Sequence, residues 1–224
     1  MKNNFTFIYR VVKLAKTWGI IKILIFIPFE IYYGFKLGFN TLFSVSNQEL
    51  DIDTKDKMNS TEYFPTPYYI AKKSFLLVKN QLKNSKFIDF GAGAGRVLMF
   101  VSEFNPKEII GVEFSKDLYT ICKNNLTKYF NIKKNLSWDV ICCNAIDFKI
   151  KPDHNVFFFY DPFNEKIMQQ VLQNIKFSYQ NSQREITIIY ISPRCSNLFI
   201  KMGFNKIFSD INKYNRGFEI FNIK

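Results

Sequence analysis

At 224 residues, 47% of them hydrophobic, the chain holds enough apolar material for one α/β domain and an appendage, which excludes a disordered polypeptide. Its formal net charge of +12 comes from 31 Lys and Arg against 19 Asp and Glu, spread along the chain and dominated by Lys. Base readers and phosphate clamps draw on Arg forks, so the charge admits a nucleic-acid partner without favouring one.

Residues 5–45 are strongly apolar and aromatic, densest at Ile23-Leu-Ile-Phe-Ile-Pro-Phe29. A spanning helix needs about 20 nearly uncharged residues. Lys22, Glu30 and Lys36 interrupt the run well short of that. The stretch also lacks a small-residue cleavage site, so it does not read as a signal peptide. Two uses stay open. Amphipathic helices carrying Arg10, Lys13, Lys16, Lys22 and Lys36 lie on an anionic membrane face, or the same helices pack on the following domain as a cap or dimer arm. Residues 1–45 are therefore set apart as a basic helical extension. The polar stretch from 46 reads as a linker, ahead of a domain over 67–224.

Thr66-Pro-Tyr68 opens a helix predicted over 67–83, with Pro67 allowed in its first turn. Strands follow at 87–90, 108–113, 138–143, 156–160 and 185–191. The fourth is wholly apolar, which fits burial on both faces. Helices are expected from Gly95 and over 116–129, 164–178 and 197–202. Closing strands at 204–209 and 217–223 have no helix between them. Five alternations of strand and helix predict an α/β fold, a doubly wound and mostly parallel sheet. The last two strands add an antiparallel edge pair and make it seven-stranded.

Cys122, Cys142, Cys143 and Cys195 show no C-x-x-C spacing, so no metal is expected. They read as buried free thiols of a reducing cytoplasm. The single histidine, His154, lies in the turn Lys151-Pro-Asp-His-Asn155. It reads as a surface loop residue and not a base, because no nucleophile or orienting partner can be named for it.

Ligands of such sheets bind beyond the carboxyl ends of the strands. After the first strand stands Asp89-Phe-Gly91-Ala-Gly93-Ala-Gly95. Its glycines allow a sharp turn and close approach of backbone N–H groups. The spacing is G-x-G-x-G rather than the dinucleotide G-x-G-x-x-G. The acid ahead of it suits a ligand ammonium better than a pyrophosphate. After the second strand, Glu113 lies 18 residues beyond Gly95, where an acid accepts both hydroxyls of a ribose. After the third, the Asn144 side chain can accept from an adenine amino group, and the N–H of Ala145 can meet a ring nitrogen. Asp147 is the rival, and either residue also serves a plain turn or cap. After the fourth, Asp161-Pro162-Phe163 offers an acid, a rigid ring and an aromatic as an acceptor-side wall. The alternative is a strand ended by proline with Asp161 capping the next helix.

Together these four strand ends resemble the class I S-adenosylmethionine-dependent methyltransferases, over roughly residues 60–224. The resemblance implies a Rossmann-like methyltransferase fold and S-adenosylmethionine as cofactor. Asn144 departs from it, since many members carry Asp there. Tyr63-Phe-Pro-Thr66, Gly95-Arg-Val-Leu98, Gly111-Val-Glu-Phe-Ser115 and Asp161-Pro-Phe163 are, more narrowly, similar to an uncharacterised bacterial group distantly like the non-SET histone lysine methyltransferases. That likeness implies a segment folded over the cofactor, so that 46–66 is both linker and cover, with Tyr63 and Thr66 at the methionine end. It implies an amine acceptor, with protein lysine favoured. A nucleic-acid exocyclic amine is the alternative, because Asp161-Pro162-Phe163 partly resembles the Asp-Pro-Pro-Tyr motif of adenine methyltransferases. A small-molecule or lipid acceptor at a membrane, and a non-catalytic scaffold, complete the set. The expected location is cytoplasmic, with attachment to the inner face of a membrane if the extension serves it.

Overall fold

The computed structural model describes residues 19–37, 64–132 and 136–224; Tyr63, the linker at 46–62 and the first 18 residues lie outside them. Seven strands form one sheet: β1 (Lys86–Phe90), β2 (Glu108–Glu113), β3 (Ser137–Cys142), β4 (Val156–Tyr160), β5 (Ile186–Ile191), β6 (Asn205–Ile211) and β7 (Gly217–Ile223). Their order is β3-β2-β1-β4-β5-β7-β6. The first five run parallel, and β7 lies antiparallel between β5 and β6. The doubly wound sheet and its antiparallel edge pair are as the strand pattern requires.

The apolar run of β4 explains itself in three dimensions. Side chains alternate across a strand. Phe158 joins the core on one face, while Phe157 and Phe159 join the core on the other. Each ring contributes about 1.5–3 kcal/mol by leaving water. The Phe158 face is covered by α1 (Ile20–Leu37), α2 (Tyr68–Leu77), α4 (Arg96–Val101) and α5 (Lys116–Ile132), with the one-turn α3 (Lys79–Leu82) beside them. The other face is covered by α6 (Glu165–Asn181) and α7 (Ser196–Lys201). Glu219 is buried in β7, where Lys206, Ser196 and Ser209 hold its carboxylate and tie the edge pair together.

Three expectations need correction. The helix foreseen over 67–83 breaks at Val78, whose φ of −111° leaves the helical region and separates α2 from α3. Only Cys122 is a buried thiol; Cys142 is exposed and Cys143 and Cys195 are half-buried. For Cys142 and Cys143 the reason is position, since β3 is an edge strand with one open side.

His154 is also not at the surface. Its residue is 1% exposed, and its ring stacks on Phe148 at 5.7 Å. Nδ1 accepts from the Lys151 N–H at 3.3 Å. Burial pushes the imidazole down to about 4, so the folded chain holds it neutral. The unfolded chain protonates near 6.5 and so binds more protons in between. The stability that the neutral ring supplies is therefore present above about pH 6.5 and is lost as the pH falls towards 4. Urea melts should show the native chain's advantage over His154→Gln shrinking between pH 7 and 4.5. An advantage independent of pH would show that the ring is not held neutral.

Candidate cofactor and acceptor site

The chain leaves β1 in one direction to build β2 and β3, then returns to β4 on the other side of β1. That reversal opens a crevice at the carboxyl ends of β1 and β4, where such sheets take ligands. Asp89 and the glycine loop stand at the end of β1, Glu113 at the end of β2 and Asp161-Pro162 at the end of β4, while Tyr63 lies outside the described residues.

Gly91, Gly93 and Gly95 all have positive φ, at 80°, 54° and 84°. A side chain is excluded twice over at two of them. A Cβ on Gly91 would stand 2.8 Å from the Pro162 Cβ, and one on Gly95 would stand 2.9 Å from the Cys122 Sγ. The loop is held from below by the Gly91 and Ala92 N–H groups, which donate to the Val112 carbonyl at 2.9 and 3.2 Å. Glu113 holds it from the side. Its Oε2 accepts from the Gly93 N–H at 2.9 Å, and its Oε1 accepts from the Ser115 N–H at 3.0 Å. Burial pushes the Glu113 carboxyl up, and those N–H groups pull it part of the way back. Each oxygen keeps a second lone pair for a hydroxyl.

Asp89 stands beside this loop with only 2% of its surface exposed. Among the described residues, no ion pair or hydrogen bond reaches its carboxylate. Burial, with Glu113 adding like charge, pushes its carboxyl well above the usual range. A buried carboxylate in that state calls for a cation. A ligand ammonium has the right charge.

At the end of β3, the Asn144 Oδ1 accepts from the Ile146 N–H at 3.1 Å, and the Asn144 carbonyl accepts from the Asp147 N–H at 3.0 Å. The side chain thus closes a turn and has one acceptor position left. Ala145 is half-buried and Asp147 exposed.

At the end of β4, Asp161 takes a left-handed φ of 42°. Its carboxylate receives the Arg194 Nε at 2.7 and 2.6 Å on its two oxygens. Burial raises this carboxyl while Arg194 lowers it. Asp161 does not cap α6; Asn164 does, accepting from the Ile167 N–H at 3.1 Å. Phe163 corrects the expected wall. It turns into the core, edge-on to Phe159 at 6.1 Å, because that hydrophobic cluster has a place for its ring. Pro162 stays beside Gly91 at the end of β4, next to Tyr160, whose hydroxyl burial pushes up to about 12.

Thr66 is buried, and its carbonyl accepts from Arg96 Nη1 at 2.9 Å. The same Nη1 donates to Glu30 Oε2 at 2.7 Å, and the guanidinium lies 4.0 Å from the Tyr68 ring centre. Glu30 Oε1 accepts from the Tyr68 N–H at 2.8 Å, at the start of α2. One carboxylate on α1 therefore fastens the segment at Thr66 and the residue following the glycine loop. Glu30 was legible only as a break in an apolar run. Its signal was its register, because Phe26, Glu30, Tyr33 and Leu37 share one helical stripe. Arg194 had no signal, since it reaches Asp161 from the loop after β5.

No protein-family model matches the chain, and no curated protein matches it in sequence. Solved structures do match in fold. A S-adenosylmethionine-dependent methyltransferase from Aquifex aeolicus aligns with a TM-score of 0.53 at 10% identity, over 68% of this chain and 88% of that one. A protein of Pyrococcus horikoshii aligns with a TM-score of 0.52 at 16% identity, over 71% and 92%. An RNA methyltransferase from Salinibacter ruber, in complex with S-adenosyl-L-homocysteine, aligns with a TM-score of 0.50 at 14% identity, over 70% and 91%. The chain thus has the seven-stranded fold found in methyltransferases. At such identities the likeness is one of fold.

Proposed function

We propose that the protein is a methyltransferase that uses S-adenosylmethionine and acts on an amine acceptor. The carrying observation is Asp89: a buried carboxylate with no cation beside it among the described residues, at the topological switch point, next to a glycine loop held by a second acid. When bound, the cofactor supplies an electrophilic methyl group on a sulfonium. Asp89 pairs with its ammonium, and Glu113 accepts from its ribose hydroxyls with the remaining lone pairs. Asn144 and Ala145 take the adenine. Tyr63 and Thr66 belong to the covering segment.

Asp161 accepts a hydrogen bond from the acceptor amine and so aims the nitrogen lone pair. Arg194 favours the ionised form of that carboxylate against its burial. An unprotonated amine needs no strong base, which agrees with a site that has no His or Cys assigned to proton transfer. Protein lysine is favoured as acceptor by the likeness to the non-SET histone lysine methyltransferases. A nucleic-acid exocyclic amine is the second reading, supported by the fold neighbour that is an RNA methyltransferase.

Calorimetry of the full chain should show one site for S-adenosylmethionine, and labelled methyl should pass to the protein fraction of a lysate. Label in the nucleic-acid fraction would select the second reading. Asp161→Asn keeps the shape and tolerates the left-handed φ. It should bind cofactor within a few-fold of the native chain while transfer falls on the order of 100-fold. No cofactor binding by the native chain would sink the proposal.

A further inference from the structure

Helix α1 is apolar on two opposite faces. Phe26, Tyr33 and Leu37 are buried against the domain, with Glu30 between them on the same stripe. Leu24, Pro28, Ile31 and Phe35 form the opposite stripe, at the spacing i, i+4, i+7, i+11. There Leu24 is 67% exposed, Ile31 55% and Phe35 85%, with Ile25, Ile27 and Tyr32 alongside. Pro28, Ile31, Tyr32, Phe35 and Lys36 line a shallow groove of about 740 Å³. A contiguous outward patch of this kind on an otherwise packed domain marks an interaction surface. Scattered apolar surface residues would not.

Charge selects the occupant. Glu30 is the only acid of α1, and it is turned inward to Arg96 and the Tyr68 N–H. The cations lie at the margin. Lys36 Nζ stands 5.8 Å from the Tyr32 ring centre, and Lys72 Nζ stands 5.3 Å from that of Phe29. Lys36 also holds Glu103 at 2.7 Å, which fixes it at the edge of the stripe. The whole chain adds a net +12. An apolar stripe rimmed by cations is complementary to an anionic bilayer surface, with rings in the acyl boundary and ammonium groups among the phosphates.

Area speaks against a second copy. A helix of 18 residues is about 27 Å long and about 10 Å wide. Two such stripes face to face bury on the order of 500 Å², below the roughly 1,200 Å² of a stable interface. No helix among the described residues is long and apolar enough to cross a membrane, so the contact is with the surface.

We propose that the outward stripe of α1 docks the protein on an anionic lipid surface. The test is flotation of the full chain with phosphatidylglycerol–phosphatidylcholine vesicles. The native chain should float with them, and much less with phosphatidylcholine alone or at high salt. Ile31→Glu with Phe35→Glu should lower the vesicle partition on the order of 100-fold. Both side chains are exposed, so the thermal midpoint and cofactor binding should stay as in the native chain. A native chain that stays unbound overturns the proposal, and so does a double variant that floats as well as the native chain. A dimer in solution that the same substitutions dissolve would assign the stripe to a second copy and also overturn it. The proposal stands apart from the methyltransferase reading, because flotation needs no cofactor.

Discussion

Replacing Glu113 with alanine will lower both cofactor affinity and folding stability. The carboxylate receives the Gly93 N–H at 2.9 Å and the Ser115 N–H at 3.0 Å in a buried setting. Removing it leaves two donors without a partner, at about 1–3 kcal/mol each. We expect a loss of about 3 kcal/mol, which for a chain of this size lowers the melting midpoint by roughly 6–12 °C. Affinity for S-adenosylmethionine should fall further, on the order of 100-fold, since the proposed ribose acceptors vanish and the loop loses its lateral hold. Glu113→Gln separates the two effects. Its amide oxygen accepts one N–H, while its NH₂ opposes the other, so stability should fall by less than in the alanine variant. Denaturant melts and calorimetry on the three proteins provide the check. An alanine variant that melts with the native chain would show that the carboxylate does not hold the loop. One that binds cofactor normally would remove Glu113 from the ribose.

The order of helices and strands was legible because each strand is short, apolar and bounded by polar turns. The 3.6-residue pattern of the helices between them could not be mistaken for a strand. Strand ends came within one or two residues of the observed ones, which is where backbone pairing decides what side chains cannot. The site was legible where it is local. Asp89, the three glycines and Glu113 follow one another from β1 through its loop to the end of β2, and their spacing suggested the proposed cofactor contacts. What stayed hidden is non-local. Arg194 meets Asp161 across 33 positions and Glu30 meets Arg96 across 66. No periodicity links such partners. His154 failed for a related reason. Its segment reads as a polar turn, but Phe148 and the carbonyl contacts of Arg184 close over it. Phe163 was read by motif and placed by packing, and packing decided.

The second large effect concerns Glu30, and it tests whether α1 is an accessory or part of the site. The Arg96 side chain is 4% exposed, and its Nη1 stands 2.7 Å from Glu30 Oε2. Removing one member of a buried pair takes away charge compensation and costs up to about 3–5 kcal/mol. Arg96 keeps the Thr66 carbonyl and the Tyr68 ring, so Glu30→Ala should sit near the lower end, at about 3 kcal/mol. The control is Lys36→Ala on the same helix. It breaks a pair with Glu103 in which the lysine is 39% exposed, and such pairs contribute about 0–1 kcal/mol. Pairing Glu30→Leu with Arg96→Leu should restore part of the loss, since it removes both charges and leaves apolar contacts. Cofactor affinity should weaken in Glu30→Ala as well. Arg96 directly follows the glycine loop and holds the Thr66 carbonyl, so a shift of its guanidinium disturbs both segments at once. Equal stability losses for Glu30→Ala and Lys36→Ala would reduce α1 to a surface attachment. A stability loss without any change in cofactor affinity would keep it as a brace for the fold and take it out of the site.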